Sequence, residues 1–215
     1  MTVTILSLSA RGSEEIGVTF ELRSGEHAQK ETFLISAALL ADLRLQVGES
    51  NQACYDAVCR GAELCRAMKR GLSILGYGSC SETTLCRKLT AKGFDREIAA
   101  EAVRELSQGG YLNGGEDALR EAERCVAKYW GKRRIAATLF SKGYASDHVR
   151  DALDTLEDEG VDYAMLCAQR IRRQVGVVPS EPVARRKLIA SLERYGFTAS
   201  EIRDAFRIAK EEDII

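Results

Sequence analysis

The apolar positions of this chain follow one period at its beginning and another for the rest of its length. Val3-Thr4-Ile5-Leu6-Ser7-Leu8 and Gly17-Val18-Thr19-Phe20-Glu21-Leu22 are short, rich in β-branched residues and bounded by Arg-Gly-Ser and Ser-Gly-Glu turn sequences. Segments of that kind read as strands. Thr32-Phe33-Leu34-Ile35 supplies a third, completing a small antiparallel sheet before Ala37 to Asp42 turns helical and Gly48 to Asn51 opens the main body. A sheet this small has too little interior to stand alone and must lean on helices.

From Asn51 the period becomes three or four. Val58, Ala62, Cys65, Met68, Leu72 and Leu75 fall on one helical face, and this helix stops at Gly76-Tyr77-Gly78. Ser81 is placed to cap the next helix by accepting a backbone N–H bond. A pattern then returns: Leu89 with Gly93-Phe94, Leu139 with Gly143-Tyr144, and Leu192 with Gly196-Phe197, the glycines 50 and then 53 residues apart. Glycine takes the left-handed conformation just past a helix end, and the aromatic after it packs on the leucine one turn back, as in a Schellman cap. Each copy ends one helix and aims the next, on which Ile98 and Ala102, Val149 and Leu153, and Ile202 and Phe206 stand at helical spacing. Thr198 and Glu201 are placed as a capping box in the last copy.

These recurrences predict a mainly α fold: three tandem three-helix repeats in an elongated, curved array, preceded by a small N-terminal antiparallel β-sheet. The β-rich region covers residues 1–50, and the repeats cover 51–109, 110–160 and 161–215, with long first helices over about 52–75, 116–130 and 161–175. A unit of roughly 50 residues buries too little to be stable by itself, so neighbours share a core.

Composition agrees, with 45% hydrophobic and 29% charged residues and only two prolines. Thirty-one basic against thirty-two acidic side chains leave a net charge of −1, so no overall field draws the protein to nucleic acid or to an anionic membrane. Any anion-binding surface is local. Seven cysteines form no CxxC pair and read as reduced core thiols. No leader pattern opens the chain and no apolar run approaches the roughly 20 residues that span a bilayer. The expectation is a cytoplasmic monomer without membrane association.

No enzymatic constellation stands out. His27 lies in a strand turn and His148 at a helix start, neither with ligands at metal spacing. Phosphate-cradling and nucleophile-elbow motifs are absent, so no catalytic residue, metal or cofactor is expected. Glu157-Asp158-Glu159 reads as a solvated helix end, because consecutive helical positions point around the axis. The stretch Gly109 to Gly115 reads as a flexible hinge between the first two repeats.

The informative signal is basic. Lys132-Arg133-Arg134 before Ile135 and Arg185-Arg186-Lys187 before Leu188 take equivalent places in the second and third repeats, both at helix N-termini. Cations there oppose the helix dipole at a cost of about 0.3–1 kcal/mol each, and a helix start with free N–H groups beside three cations suits a phosphate or a carboxylate-rich surface. Arg172 and Arg173, with Arg170, extend this patch, while the first repeat has Glu82-Thr83-Thr84, with no positive charge, at the matching place. Against this stands the plainer reading, that the cations pair with nearby carboxylates. Tyr129 and Trp130 beside the first triplet are placed either to stack on bases or to pack a joint.

The ordered succession of these motifs resembles the RecX family. The residues that carry the likeness are Ser81-x-x-x-Leu85-x-x-Lys88-Leu89-x-x-Lys92-Gly93-Phe94, Leu106 with Tyr111-Leu112-Asn113, Gly131-x-x-x-Ile135-x-x-x-Leu139-x-x-Lys142-Gly143-Tyr144 and Leu188-x-x-x-Leu192-x-x-x-Gly196-Phe197. The family pattern has Glu where this chain has Thr84, which removes one partner of a capping box. The resemblance implies a regulator of the recombinase RecA that lies in the groove of its filament on DNA and lowers strand-exchange, ATPase and co-protease activity. The charge pattern marks Lys132, Arg133, Arg134, Arg172, Arg173, Arg185, Arg186 and Lys187 as the partner-binding residues. The alternative is a stand-alone DNA-binding repeat protein of helix-turn-helix type, against which the near-zero net charge argues. Reversing charge at Arg133, Arg134, Arg185 and Arg186 together is expected to abolish inhibition of DNA-dependent ATP hydrolysis by RecA while circular dichroism stays unchanged; undiminished inhibition would refute the patch.

Overall fold

The computed structural model describes residues 2–12 and 15–212. Its elements are β1 (Thr2–Arg11), β2 (Glu15–Ser24), β3 (His27–Ser36), α1 (Ala37–Asp42), β4 (Gly48–Ser50), α2 (Gln52–Leu75), α3 (Glu82–Thr90), α4 (Arg96–Gln108), α5 (Gly114–Val126), α6 (Lys132–Ser141), α7 (Ser146–Asp158), α8 (Tyr163–Val175), α9 (Pro182–Arg194) and α10 (Ala199–Glu212). The fold is mostly helical with an antiparallel sheet at its start, as the two periods predict. Gly48 to Ser50 does not open the helical body: it forms a fourth strand on β1, giving the order β3-β2-β1-β4.

The chain divides into two compact units. One holds the residues up to Gly78 and Leu85–Tyr111; the other holds Ser79–Thr84 and the residues from Leu112 onward. In the first unit the inward residues Val3, Ile5, Val18, Phe20 and Ile35 of the sheet pack with Val58 and Ala62 of α2. Phe20, Phe33 and Tyr55 meet edge to face, with centroids 5.2–6.2 Å apart, and the Tyr55 hydroxyl donates to Glu31.

The face expected on α2 is only partly the one it buries. Cys65 and Met68 are half-buried and Leu72 is 38% exposed, whereas Gly61, Ala67 and Gly71 are buried. Small residues do the packing because Leu39 and Leu106 press directly on Gly61 and Gly71. Nor are all seven thiols in the core: Cys80, Cys125 and Cys167 are buried, while Cys54, Cys59, Cys65 and Cys86 are half-buried.

The glycine joints form as expected. Gly93, Gly143 and Gly196 have φ of 93°, 80° and 90°, and Phe94, Tyr144 and Phe197 donate back to Leu89, Leu139 and Leu192 at 3.2–3.4 Å. The same closure, less visible in sequence, ends α4 at Gly110 and α7 at Gly160. It also ends α5, where the left-handed place is held by Tyr129 at φ 57°, a conformation costing a non-glycine residue about 1–2 kcal/mol.

In the second unit two of these joints do more than end a helix. The Tyr195 carbonyl accepts from Gly131 N–H at 2.8 Å and the Gly196 carbonyl from Arg133 N–H at 3.3 Å, so the end of α9 sits on the start of α6. The Lys142 carbonyl at the end of α6 accepts from Ser81 Oγ at 2.6 Å and from Thr84 Oγ1 at 2.8 Å, at the start of α3. Thr84 therefore spends its hydroxyl on the next joint rather than on a capping box; Ser81 Oγ still caps, accepting from Thr84 N–H. In the Gly109 to Gly115 stretch Gly110 closes α4, Asn113 caps α5, and Gly114 and Gly115 are already helical, and the two units divide between Tyr111 and Leu112. The capping box of Thr198 and Glu201 forms in both directions.

Gly93 has open space where a Cβ would stand, whereas at Gly196 that atom would overlap the Arg134 backbone and lie 2.5 Å from Arg134 Cβ. Gly93→Ala should therefore cost only the left-handed penalty of about 1–2 kcal/mol, and Gly196→Ala should cost roughly 3 kcal/mol or more. Urea titration followed by circular dichroism gives the comparison; equal losses would remove the joint between α9 and α6.

Candidate partner-binding surface

The predicted cations do not form one patch. Lys132 to Arg134 occupy the first turn of α6, as expected, but α9 begins at Pro182, with Glu181 accepting from Ala184 N–H. Proline suits the first position of a helix, so Arg185-Arg186-Lys187 lie in the second turn rather than at the N-terminus. The end of α9 meets α6, and Arg185 is ten residues from Tyr195, about 15 Å along a helix axis at 1.5 Å per residue. Arg185 covers the Phe206 ring at 5.0 Å, and Arg186 and Lys187 are exposed.

The dipole argument for the first triplet also changes. Two carbonyls at the end of α9 are bonded into the start of α6, so these cations face the negative end of one helix as well as the positive end of another, and the expected strain is relieved inside the fold. Arg133 N–H is not free for an anion. Lys132 forms an ion pair with Glu157 at 2.6 Å, the kind of pairing with a nearby carboxylate that the plainer reading expects.

What the fold assembles instead is a ladder of guanidinium groups and rings. The Arg134 guanidinium lies 4.1 Å from the centre of the Trp130 ring and 4.9 Å from that of Tyr195. On Tyr195 a second guanidinium, that of Arg170, lies at 3.8 Å. Lys128 stands 5.3 Å from Trp130, and Arg173 5.6 Å from Tyr129. Four helices place these groups: the α5 joint presents Tyr129 and Trp130, α6 presents Arg134, α8 presents Arg170 and Arg173, and the end of α9 presents Tyr195. Gln174 donates to Ser191 at 3.3 Å and ties α8 to α9 beside it.

Stacking of this kind is worth about 0.5–2 kcal/mol per contact, most when water is excluded. It does not neutralise charge. Among the described residues no carboxylate comes within ion-pair distance of Arg134 or Arg170, and the Arg170 Nε is buried without a hydrogen-bond partner. Both side chains are half-buried, while Arg133, Arg172 and Arg173 are exposed around them. The result is a preformed cationic surface whose planar groups match carboxylate or phosphate oxygens. Tyr195 and Trp130 are its central members. Tyr195 stands where the other two glycine joints have Lys92 and Lys142, and that exchange of lysine for an aromatic is the sequence signal that marks it.

The remaining polar chemistry is quiet. Burial pushes Cys167 up to about 12, with Glu201 adding to it, and raises Cys125, so neither thiol is ionised near neutrality. Burial likewise pushes Tyr144 and Tyr163 up to about 12. His148 lies against Gly114 at the start of α5. Among the described residues no group of three or more His, Cys, Asp or Glu is arranged to hold a metal, and no helix is long and apolar enough to cross a membrane.

No protein-family model matches the chain. It is 32% identical over 145 residues to the regulatory protein RecX of Stenotrophomonas maltophilia, covering 65% of this chain and 85% of that protein. Identity to the regulatory protein RecX of Xanthomonas campestris pv. campestris is 32% over 146 residues, covering 67% and 88%, and to that of Pelodictyon phaeoclathratiforme 31% over 147 residues, covering 66% and 88%. A crystal structure of a regulatory protein RecX shares the fold with a TM-score of 0.73 at 19% identity, over 97% of this chain and 99% of that one. RecX from Lactobacillus salivarius gives 0.58 at 19% identity, over 71% and 98%.

If Tyr195 holds two guanidinium groups by its ring, Tyr195→Phe should leave the urea midpoint nearly unchanged, while Tyr195→Ala should cost about 2–4 kcal/mol through lost packing and stacking. Equal effects of the two substitutions would assign the ring no such part.

Proposed function

This chain belongs to the RecX family of regulatory proteins, and we propose that it regulates RecA by docking onto the recombinase filament on DNA, lowering its strand-exchange, ATPase and co-protease activity without turning over a substrate. The observation that carries this reading is the pair of stacked, half-buried guanidinium groups of Arg134 and Arg170, which no carboxylate among the described residues answers. Holding such charges in place without a partner is unfavourable, and an acidic surface on another macromolecule relieves it. In this reading the helix trios α2–α4, α5–α7 and α8–α10 are three repeats, of which the second and third present the cations, and the protein acts as a cytoplasmic monomer. Exposed Arg133, Arg172 and Arg173 form the rim of the contact; Arg185, Arg186 and Lys187 form a separate and weaker region.

The ladder also offers aromatic faces to nucleic-acid bases, so direct DNA contact is the competing reading. Salt separates them: binding to naked DNA falls steeply with added salt, whereas docking onto a protein surface depends on it less.

The test is inhibition of ATP hydrolysis by preassembled RecA filaments. Arg133→Glu with Arg173→Glu, both exposed and neither stacked on Trp130 or Tyr195, should raise the inhibitor concentration for half effect by at least tenfold, the effect of about 1.4 kcal/mol at an interface, and Arg185→Glu with Arg186→Glu should raise it less. Unchanged inhibition in the first pair would remove the ladder from the interface. Equal, salt-labile binding to bare DNA and to filaments would favour the competing reading.

A further inference from the structure

The first compact unit carries a docking feature that the proposed regulation does not use. In the sheet order β3-β2-β1-β4, β3 is an edge over all of His27–Ser36. The two-residue turn Gly25-Glu26 sets Ser24 opposite His27, and the ladder runs from there to Glu15 opposite Ser36 without a shift of register. In a hairpin of that kind the pair beside the turn exchanges both backbone bonds, and every second pair after it does the same. His27, Gln29, Glu31, Phe33 and Ile35 thus spend their backbone groups on β2. Those of Ala28, Lys30, Thr32 and Leu34 point away from the sheet, and no turn, loop or side-chain hydrogen bond among the described residues reaches the N–H groups of Lys30, Thr32 or Leu34.

The opposite edge is interrupted. There β4 covers Val3 to Ile5 of β1, and β1 shifts register between Ile5 and Ser7. Short edge strands, bulges, prolines and edge lysines are the devices that hinder a further strand from adding. β3 has ten residues, no bulge and no proline, and of these devices it carries only Lys30.

Beside the open edge lies a cleft of about 560 Å³ between Thr32 and Leu34 of β3 and Cys59, Ala62, Glu63 and Arg66 of α2. Its floor is small and apolar, with Ala62 buried and Cys59 half-buried. Its charges are unequal. Arg60, at the rim, is bound to Glu101 at 2.8 Å; Arg66 is exposed with no carboxylate within ion-pair distance among the described residues, and Lys30 stands on the edge itself. Glu63 is the carboxylate among the lining residues, and Glu31, next to Lys30 on the edge strand, is held by the Tyr55 hydroxyl.

We propose that the β3 edge and this cleft accept an extended peptide segment of a partner protein as a fifth strand, one that alternates small apolar side chains with carboxylates. Outward N–H and C=O groups of Lys30, Thr32 and Leu34 supply the backbone bonds. Side chains directed toward α2 rest on Ala62 and Cys59. Those directed to the outer face, where Lys30, Thr32 and Leu34 project, are acidic and pair with Lys30, and Arg66 takes a carboxylate at the end of the cleft. Main-chain bonds give the affinity in such a mode and alternate side chains the selectivity. None of these residues belongs to the arginine ladder, so the two surfaces can fail or hold separately.

The test uses the full-length chain labelled with ¹⁵N and the blocked peptide Val-Glu-Val-Glu-Val-Glu-Val as probe, read by amide hydrogen exchange. The amides of Lys30, Thr32 and Leu34 should gain at least tenfold protection, the measure of a newly made backbone bond of about 1.4 kcal/mol. The same peptide with lysine for glutamate, or with alternate amides N-methylated, should give none. Thr32→Pro removes one outward N–H while leaving the β2 ladder in place, and should abolish protection at an unchanged melting temperature. Should that variant fail to fold, Arg66→Glu is to weaken binding by about tenfold in its stead. Equal protection by the lysine or N-methylated peptide, or none from any peptide at millimolar concentration, would overturn the proposal. Protection that grows with protein concentration in the absence of peptide would overturn it too, by giving the edge to a second copy of the chain.

Discussion

Two backbone hydrogen bonds, from Gly131 and Arg133 N–H to the carbonyls of Tyr195 and Gly196, govern much of the second unit. They set the end of α9 against the start of α6, and the contact is so close that neither Gly131 nor Gly196 has room for a side chain. Each bond alone contributes about 0.5–1.5 kcal/mol. Their larger effect is positional. With the two backbones in register, Arg134 must rise beside Tyr195, and Tyr195 in turn receives Arg170 from α8. Moving the joint by one residue would turn Tyr195 off that face and leave the guanidinium groups without rings.

Much of this was legible in the amino-acid order. The change of period near residue 50 separates sheet from helices, and the leucine-glycine-aromatic motif marks three helix ends, because a left-handed residue is a local requirement with a local signature. What the order does not carry is which helix end meets which helix start. The closeness of Gly196 to Arg134, the diversion of the Thr84 hydroxyl to Lys142 and the burial of Gly71 under Leu106 are facts of tertiary packing. β4 escaped notice because three residues are too few for an alternation to show.

The candidate surface was legible in part for the same reason. Charge triplets stand out in a sequence, yet they weigh Lys132 and Arg134 equally, and the fold separates them: one is answered by Glu157 at 2.6 Å, the other by two rings and, among the described residues, by no carboxylate. The residues that decide the matter, Trp130 and Tyr195, are 65 positions apart and meet through one guanidinium group. Arginine is suited to this because its planar cation stacks on a ring and keeps its edge for a ligand.

Helix length bears on how such a chain tolerates insertion and deletion. α6 has 10 residues and α9 has 13, and this difference of three equals the excess of the second glycine spacing over the first, 53 against 50. The additional residues lie wholly at the start of α9, where no helix end docks among the described residues. Length is free to drift where a helix start is unoccupied, whereas a residue gained or lost between Gly131 and Gly143 would misalign two joints at once.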